Sequence, residues 1–383
     1  MFNTSIIQLS RAALKSNFEY LKNYIGGNVK ISSVVKGNAY GHGIEPYVKL
    51  AQECGINHFS VYSADEALRV KTALKKKNDI MIMGFIDNDE LEWAINNKIE
   101  FYVFDFDRLE KAIEIAKQTK KRALIHIEVE TGMNRTGFGS RRLGKVLEIV
   151  KKNSDKLEII GLCTHYAGAE SISNYVRIHN QYEIFNKIYN KFIKEGVKPR
   201  IKHTASSAAA MTYPYMQMDM VRVGILQYGF WPSLETFIDH IAKKKIHEDP
   251  LKRILEWKSK VMSTKNVKMG EFIGYGNYFL AERNMKVALI PIGYSHGFSR
   301  SLSNTGRVLI RGQRVGIVGT VNMNLIIVDV SSIPGVRKGD SVVIIGKQGK
   351  NEITVQSFMQ MSNQLNYELL SRLPGNIPRI VTD

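Results

Sequence analysis

Over the first 240 residues, short apolar runs alternate with stretches whose hydrophobic side chains recur at helical spacing, the pattern of repeated β–α units. The runs are Ile31–Lys36, His58–Ala64, Asp79–Phe85, Ile99–Asp105, Arg122–Glu130, Glu158–Tyr166, Arg200–Ser206 and Met220–Leu226. Between them, Ala64–Leu74 and Asp107–Lys117 carry apolar residues on one face and Lys or Glu on the other, with Asp65 and Asp107 as candidate N-caps. Eight strands with seven helical connections predict a (β/α)8, TIM-like barrel. Chemistry in that fold collects at the carboxyl ends of the strands. Lys36, Arg135, His165, Ser207 and Arg222 all fall at or just after such ends.

The pattern changes after Phe230. Residues 231–256, with WPS, a basic-acidic run and HEDP, read as a connector containing a helix. From Trp257 onward, short β-branched runs such as Val287–Ile292, Gly306–Ile310, Leu325–Val330 and Val342–Ile345 are separated by glycine turns. This predicts a second, mainly antiparallel β domain. The expected fold is therefore α/β, with the barrel over residues 1–240 and the β domain over residues 241–383. Residues 1–10 or so are open to joining the second.

Composition narrows the class. With 383 residues, 44% hydrophobic and 23% charged, the chain reads as globular, with one large or two medium domains. MFNTSIIQLSRAALKSNF has no apolar core followed by a cleavage site, and no run approaches the ~20 apolar residues of a membrane span. Cys54 and Cys163 lie far apart in no metal or redox motif, as expected of free thiols in a reducing cytoplasm. The net charge of +18 is scattered, with short clusters only at Lys75–Lys77 and Lys243–Lys245 and no aromatic-interleaved basic stripe. A solvated lysine-rich surface is expected, with neither nucleic acid nor membrane as partner, and no metal.

The candidate chemistry starts at ISSVVKGNAYGHG, residues 31–43, where a β-branched run stops at Lys36 and small, turn-forming residues follow. A lysine ending a buried strand is short of water. Desolvation lowers its pKa, and a neutral amine can condense with a carbonyl cofactor. The other reading is a lysine leaving the sheet for solvent. A second position of interest is Tyr275, between Gly274 and Gly276 in GEFIGYGNYF. A free phenol, with pKa ~10, is a poor base unless cations lower it, and packing is the alternative.

VVKGNAYGHG resembles the pyridoxal-phosphate lysine motif of alanine racemases, which usually reads VVKANAYGHG. The likeness runs from about Gln8 to Arg379, with its motifs in order. It implies pyridoxal 5'-phosphate on Lys36, part of the positive charge helping to attract the phosphate, and Tyr40 adding a hydroxyl contact to it. THYAGAE places His165 where the family's ring-stacking or base-supporting histidine stands, a buried core histidine being the reading from the residues alone. HTASSAA, residues 203–209, resembles HTANSAA, so Ser207 corresponds to a phosphate-binding serine and Ser206 replaces the usual asparagine. VRVGILQYG resembles VRPGIALYG, which implies phosphate contacts from the Gly224 and Ile225 N–H groups and a hydrogen bond from Arg222 to the pyridine nitrogen. Arginine only donates, so that nitrogen would stay unprotonated and the cofactor would be a weaker electron sink. ETGMNRTGFG resembles DTGMGRLG, which makes Arg135 the substrate-carboxylate ligand.

Inverting a stereocentre needs a base on each face. The GYG upstream of ALIPIGYSHG resembles the segment carrying the family's second base. Tyr275 is thus implied to act in trans, in a homodimer with shared sites, with Met323 offering its backbone from the partner and Tyr294 on the substrate side. The implied activity is racemisation of L-alanine to D-alanine for peptidoglycan, with Lys36 and Tyr275 as the two bases.

Departures gather in the substrate region. Glu128 stands where many racemases carry a carbamylated lysine, and is expected to supply that negative charge permanently and orient Arg135. GRVSMD becomes GTVNMN, which places Thr320 for an entrance arginine and Asn324 for an aspartate. Gly375 aligns with a tyrosine that crowds the substrate methyl, while Arg300 keeps one entrance arginine. A wider entrance implies an alternative, a broader-specificity racemase with the same machinery. A non-catalytic cofactor-carrying barrel would lack the β domain and Tyr275. A basic-amino-acid decarboxylase would need a carboxylate where Arg222 stands.

Overall fold

Eight parallel strands form one sheet: Lys30–Val34, His58–Val61, Asp79–Ile82, Glu100–Val103, Ala123–Glu128, Leu157–Cys163, Ile201–His203 and Met220–Val223. Each expected run holds one of them, but every strand stops two or three residues short of the expected carboxyl end. The apolar run outlasts the regular ladder because single main-chain bonds, from Val35 N to Ser60 O (2.8 Å) and Met83 N to Val61 O (2.9 Å), carry the pairing onward into the loops. The first strand pairs with the last, Lys30 opposite Met220 through Ser33 opposite Val223. Between the seventh and eighth strands the seam is closed by Arg222 N to Ala205 O (3.0 Å) and Lys202 N to Asp219 Oδ2 (2.7 Å). The sheet is a nearly closed barrel. The computed structural model describes residues 3–244, 248–362 and 366–383.

The helices Ala64–Ala73 and Phe106–Thr119 form where the spacing placed them, but their caps differ. Ser63 and Asp105 are the extended residues that precede the first turns, and the Asp105 carboxylate accepts from Arg108 N at 2.9 Å. Asp65 and Asp107 sit inside the first turns, where a negative charge still favours the positive helix end. The connector contains the helix Leu234–Lys244. Lys245 of the Lys243–Lys245 cluster lies outside the described residues.

The chain divides into two compact units. The barrel unit is Ala13–Lys36 with Tyr47–Lys252, and the other takes the chain up to Ala12, Gly37–Pro46 and Arg253–Asp383. The second unit is built on a seven-stranded sheet in the order Gln313–Gly316, Arg307–Ile310, Ser341–Gln348, Leu255–Lys260, Ser5–Ser10, Arg379–Thr382, with Asn351–Ile353 added to Ser341–Gln348. All its pairings are antiparallel except Ser5–Ser10 with Arg379–Thr382. A second, three-stranded sheet joins Ser263–Val267, Met285–Ile290 and Ile326–Asp329, over a cluster of Val267, Ile273, Met285, Val287 and Val318.

The division falls at the peptide after Lys36, and an uncommon turn begins there. Gly37, Asn38, Ala39 and Tyr40 all have positive φ, between 50° and 61°. Such a left-handed turn costs about 1–2 kcal/mol for each residue with a Cβ. It is held by Gly41 N to Gly37 O (3.0 Å) and Gly43 N to Asn38 O (2.9 Å). Arg379 donates to the Gly41 carbonyl at 2.8 and 3.2 Å. The buried His42 ring lies 3.0 and 2.9 Å from the carbonyls of Ala39 and Tyr40.

Candidate active site

At the carboxyl end of the barrel, Lys36 follows the first strand. Its side chain is open to solvent by area, yet it is crowded by protein. Desolvation, with the like charges of Arg135 and Arg222, holds its ammonium below the ordinary lysine range against the opposing pull of Glu66. Arg222 comes from the last strand and is buried. One terminal nitrogen donates to His203 Nδ1 (2.6 Å) and His203 O (2.8 Å). The other donates to Thr164 O (2.9 Å) and Thr204 O (3.0 Å). All these acceptors are neutral, so none of these bonds sets an anion against the guanidinium.

His165 lies 3.5 Å from Arg222. Burial and the charges of Arg222, Arg135 and Lys36 push its pKa down to about 3, so it is a neutral ring at physiological pH. Glu128 ends the fifth strand and is buried. Burial pushes its carboxyl up, while a hydrogen bond from Thr136 and the charges of Arg135 and Arg222 pull it down. Arg135 is exposed, and among the described residues no ion pair joins it to Glu128, so it acts there at longer range. Its loop is shaped by Glu130, whose carboxylate accepts from Asn134 N (2.8 Å) and Arg135 N (3.3 Å). Ser207 begins the short helix Ser207–Thr212, and its hydroxyl accepts from Gly224 N at 2.8 Å. Ile225 opens the next turn, Ile225–Tyr228. The unit thus gathers a depressed amine, two arginines, a neutral imidazole, a buried acid and a hydroxyl bonded to a main-chain amide. This set can hold an anionic ligand and present an amine as a nucleophile or base.

In the other unit, Tyr275 is 75% exposed. It sits at the tip of a loop between Phe272 and Leu280, which form an isolated bridge. Phe272 and Tyr278 are exposed beside it in the chain. Tyr294 and Met323 are exposed on loops that touch, since Ser295 N and Oγ donate to Met323 O at 3.0 and 2.8 Å. Asn324 donates to Ser295 Oγ at 2.7 Å. Thr320 is buried, Arg300 and Gly375 are exposed, and the Tyr40 ring lies 6.0 Å from that of Tyr367.

Sequence reasoning overlooked the polar interior of the barrel. His58, Glu100, His126 and His203 stand on four of its strands, all buried. They form a continuous chain to Arg222: His58 Nε2 and His126 Nε2 lie 3.2 and 2.8 Å from Glu100 Oε2, and His126 Nδ1 lies 2.8 Å from His203 Nε2. The available signal was an ionisable residue within or at the end of an apolar run, as His126 stands inside Ala123–Glu128 and His58 and Glu100 open theirs.

The family model for the alanine racemase N-terminal domain matches residues 9–232, and that for the alanine racemase C-terminal domain matches residues 254–381. The chain belongs to the alanine racemase family. It is an enzyme of the isomerase class. Its relatives include the alanine racemase of Leptospira interrogans, 33% identical over 99% of this chain and 96% of that one. Among solved alanine racemases, that of Bacillus anthracis with bound L-Ala-P is 29% identical with a TM-score of 0.90, covering 100% of this chain and 96% of that one. That of Bartonella henselae, with covalently bound pyridoxal phosphate, is 25% identical with a TM-score of 0.84, covering 100% of both. No described helix is long and apolar enough to cross a membrane.

Proposed function

We propose that this chain racemises alanine with pyridoxal 5'-phosphate held on Lys36. The observation that carries the reading is the pairing of an amine held below the ordinary lysine range with a buried guanidinium whose hydrogen bonds, among the described residues, all go to neutral acceptors. The group fits the residues present. Lys36 offers the amine, and Arg222 offers a donor to a ring nitrogen that has to remain unprotonated. The Ser207 hydroxyl accepts from Gly224 N at 2.8 Å, which leaves its own proton to donate to a phosphate, with the Ile225 N–H, the Tyr40 hydroxyl and the Gly224 N–H, on exchanging that bond, as further donors. The covalently bound pyridoxal phosphate of the Bartonella henselae relative supports the same assignment. When bound, the cofactor makes the α-hydrogen of an amino acid acidic by delocalising the charge left behind.

The chain's own residues do the rest. Arg135 binds the substrate carboxylate, and Glu128 balances the positive charge around it. His165, uncharged, lies beside the ring without competing for protons. Lys36, released when the substrate amine replaces it, holds or gives up a proton on one face of the α-carbon. Tyr275 serves the opposite face from the second subunit of a homodimer with shared sites, where Met323 and Tyr294 border the substrate. An exposed phenol on a loop with exposed Phe272 and Tyr278 is what such a shared surface would leave uncovered in one chain. The barrel unit, with Lys36, then carries the cofactor and the other unit, with Tyr275, the second base, with D-alanine for peptidoglycan made in the cytoplasm.

The test is a visible absorbance band together with chiral analysis of product from L-alanine. Lys36→Ala loses colour and turnover. Tyr275→Phe keeps the colour and slows exchange mainly in one stereochemical direction. A colourless parent protein, or Tyr275→Phe with parental rates both ways, overturns the reading. A second reading, a wider substrate range, rests on the departures at Thr320, Asn324 and Gly375 from the family's residues. Rates on a panel of L-amino acids decide, and strict alanine preference excludes it.

A further inference from the structure

We propose that Glu100 is a positioning residue for Arg222, acting through a hydrogen-bond chain of fixed direction in which His203, His126 and His58 are each neutral and carry their single ring proton on Nε2. The inference rests on the placement of Arg222 at the cofactor ring only for its effect on the reaction. The direction of the chain follows from the protein alone.

A guanidinium only donates and a carboxylate only accepts. Arg222 donates to His203 Nδ1 at 2.6 Å, so that nitrogen is bare and the His203 proton is on Nε2. There it points at His126 Nδ1, 2.8 Å away, which must accept. The His126 proton is then on Nε2, 2.8 Å from Glu100 Oε2. A doubly protonated His126 is excluded, because its Nδ1 would also donate to His203, which would then accept at both nitrogens and have no proton of its own. On the other side, His58 Nε2 donates to Glu100 Oε2 at 3.2 Å, and its bare Nδ1 accepts from Ser32 Oγ at 2.8 Å. Ser32 accepts in turn from Ser60. Every bond on both arms thus runs toward Glu100.

Burial alone would raise the Glu100 carboxyl, but the bonds from His126 and His58 outweigh it and hold the group well below the usual range. Burial and the Arg222 charge keep His203 far below the ordinary imidazole value. The packing makes room for the chain at one point. Gly161 pairs with His126 on one side and Ile201 on the other. A Cβ there would lie 2.2 Å from His126 Nδ1 and 2.9 Å from His203 Nε2. Two imidazoles therefore link Arg222 to the Glu100 carboxylate through hydrogen bonds, fixing one edge of the guanidinium while backbone carbonyls fix the other. Arg222 so held delivers a hydrogen bond and has no relay from which to deliver a proton.

Neutron diffraction from deuterium-exchanged holoenzyme crystals tests this directly. The expected density is deuterium on Nε2 and none on Nδ1 of His58, His126 and His203, with Glu100 bare. Deuterium on Nδ1 of His126 or His203, or on the Glu100 carboxyl, overturns the proposal and needs no variant. Glu100→Gln keeps an acceptor oxygen but removes the charge. It is expected to retain the visible band with a shifted maximum, and to lose about tenfold in kcat with KM for alanine within about twofold, the effect of one charged hydrogen bond. Gly161→Ala, which separates the two histidines without changing any charge, is expected to lower kcat likewise. Parental kcat and spectrum in both variants overturn the positioning role. A parent protein without a visible band defeats the cofactor reading instead, and the histidine pattern still decides the chain.

Discussion

Replacing Gly41 by alanine measures how tightly the left-handed turn after Lys36 is packed. Gly41 has φ +77°, where a residue with a Cβ loses about 1–2 kcal/mol. An added Cβ would also lie 1.8 Å from the Leu370 carbonyl oxygen and 2.8 Å from its carbon. Neither atom is the end of a flexible side chain, so backbone must move, at an overpacking cost of about 1–3 kcal/mol. Together these give about 2–5 kcal/mol. Gly26 is the control, with φ +90° and nothing within 4 Å of an added Cβ. Gly26→Ala carries only the backbone term, about 1–2 kcal/mol. Urea unfolding of parent and both variants reads the difference as a shift in midpoint at constant slope. Gly41→Ala should lose about twice as much as Gly26→Ala or more, and the visible band should weaken, since the turn adjoins Lys36. Equal losses in the two variants would refute the close contact with Leu370.

Other consequences can be measured as simply. His42 is buried and its pKa is pushed down to about 4, while unfolded chain takes up a proton near 6.5. The unfolded state therefore binds more protons between these values, and stability should be full above pH 6.5 and fall toward pH 4. A urea midpoint that does not change between pH 7 and pH 5 would contradict this. Glu128→Gln removes the buried charge facing Arg135 and Arg222 and should raise KM for alanine about tenfold. Unchanged steady-state kinetics would remove Glu128 from the substrate region. Asp105→Ala deletes the cap of Phe106–Thr119 and should cost about 1 kcal/mol, whereas Asp107→Ala should cost less by thermal unfolding.

Much of the barrel was readable because its strands are buried on both faces. Runs such as IMI at 80–82 and FYV at 101–103 leave little choice of environment. Lys36 stood out because a charge ends such a run. Strand ends were not readable, since Val35 and Met83 continue the apolar pattern while only single main-chain bonds hold them. The caps were misplaced because an acid is equally at home at the cap and in the first turn. The histidine chain was hidden by distance: His126 finds Glu100 26 residues away and His203 77 residues away. The left-handed turn was hidden for another reason. Nothing in the side chains of Ala39 or Tyr40 favours positive φ, and tertiary contacts impose it.

Arg379 gives that turn a place in the order of synthesis. It binds the Gly41 carbonyl from 338 residues further along the chain, on the strand that pairs with Ser5–Ser10. A nascent polypeptide on the ribosome therefore carries Lys36 beside an unlocked segment until residue 379 has emerged from the exit tunnel. Ribosome-bound chains stalled before that point should not acquire the amine's finished surroundings, however completely the preceding strands have already assembled.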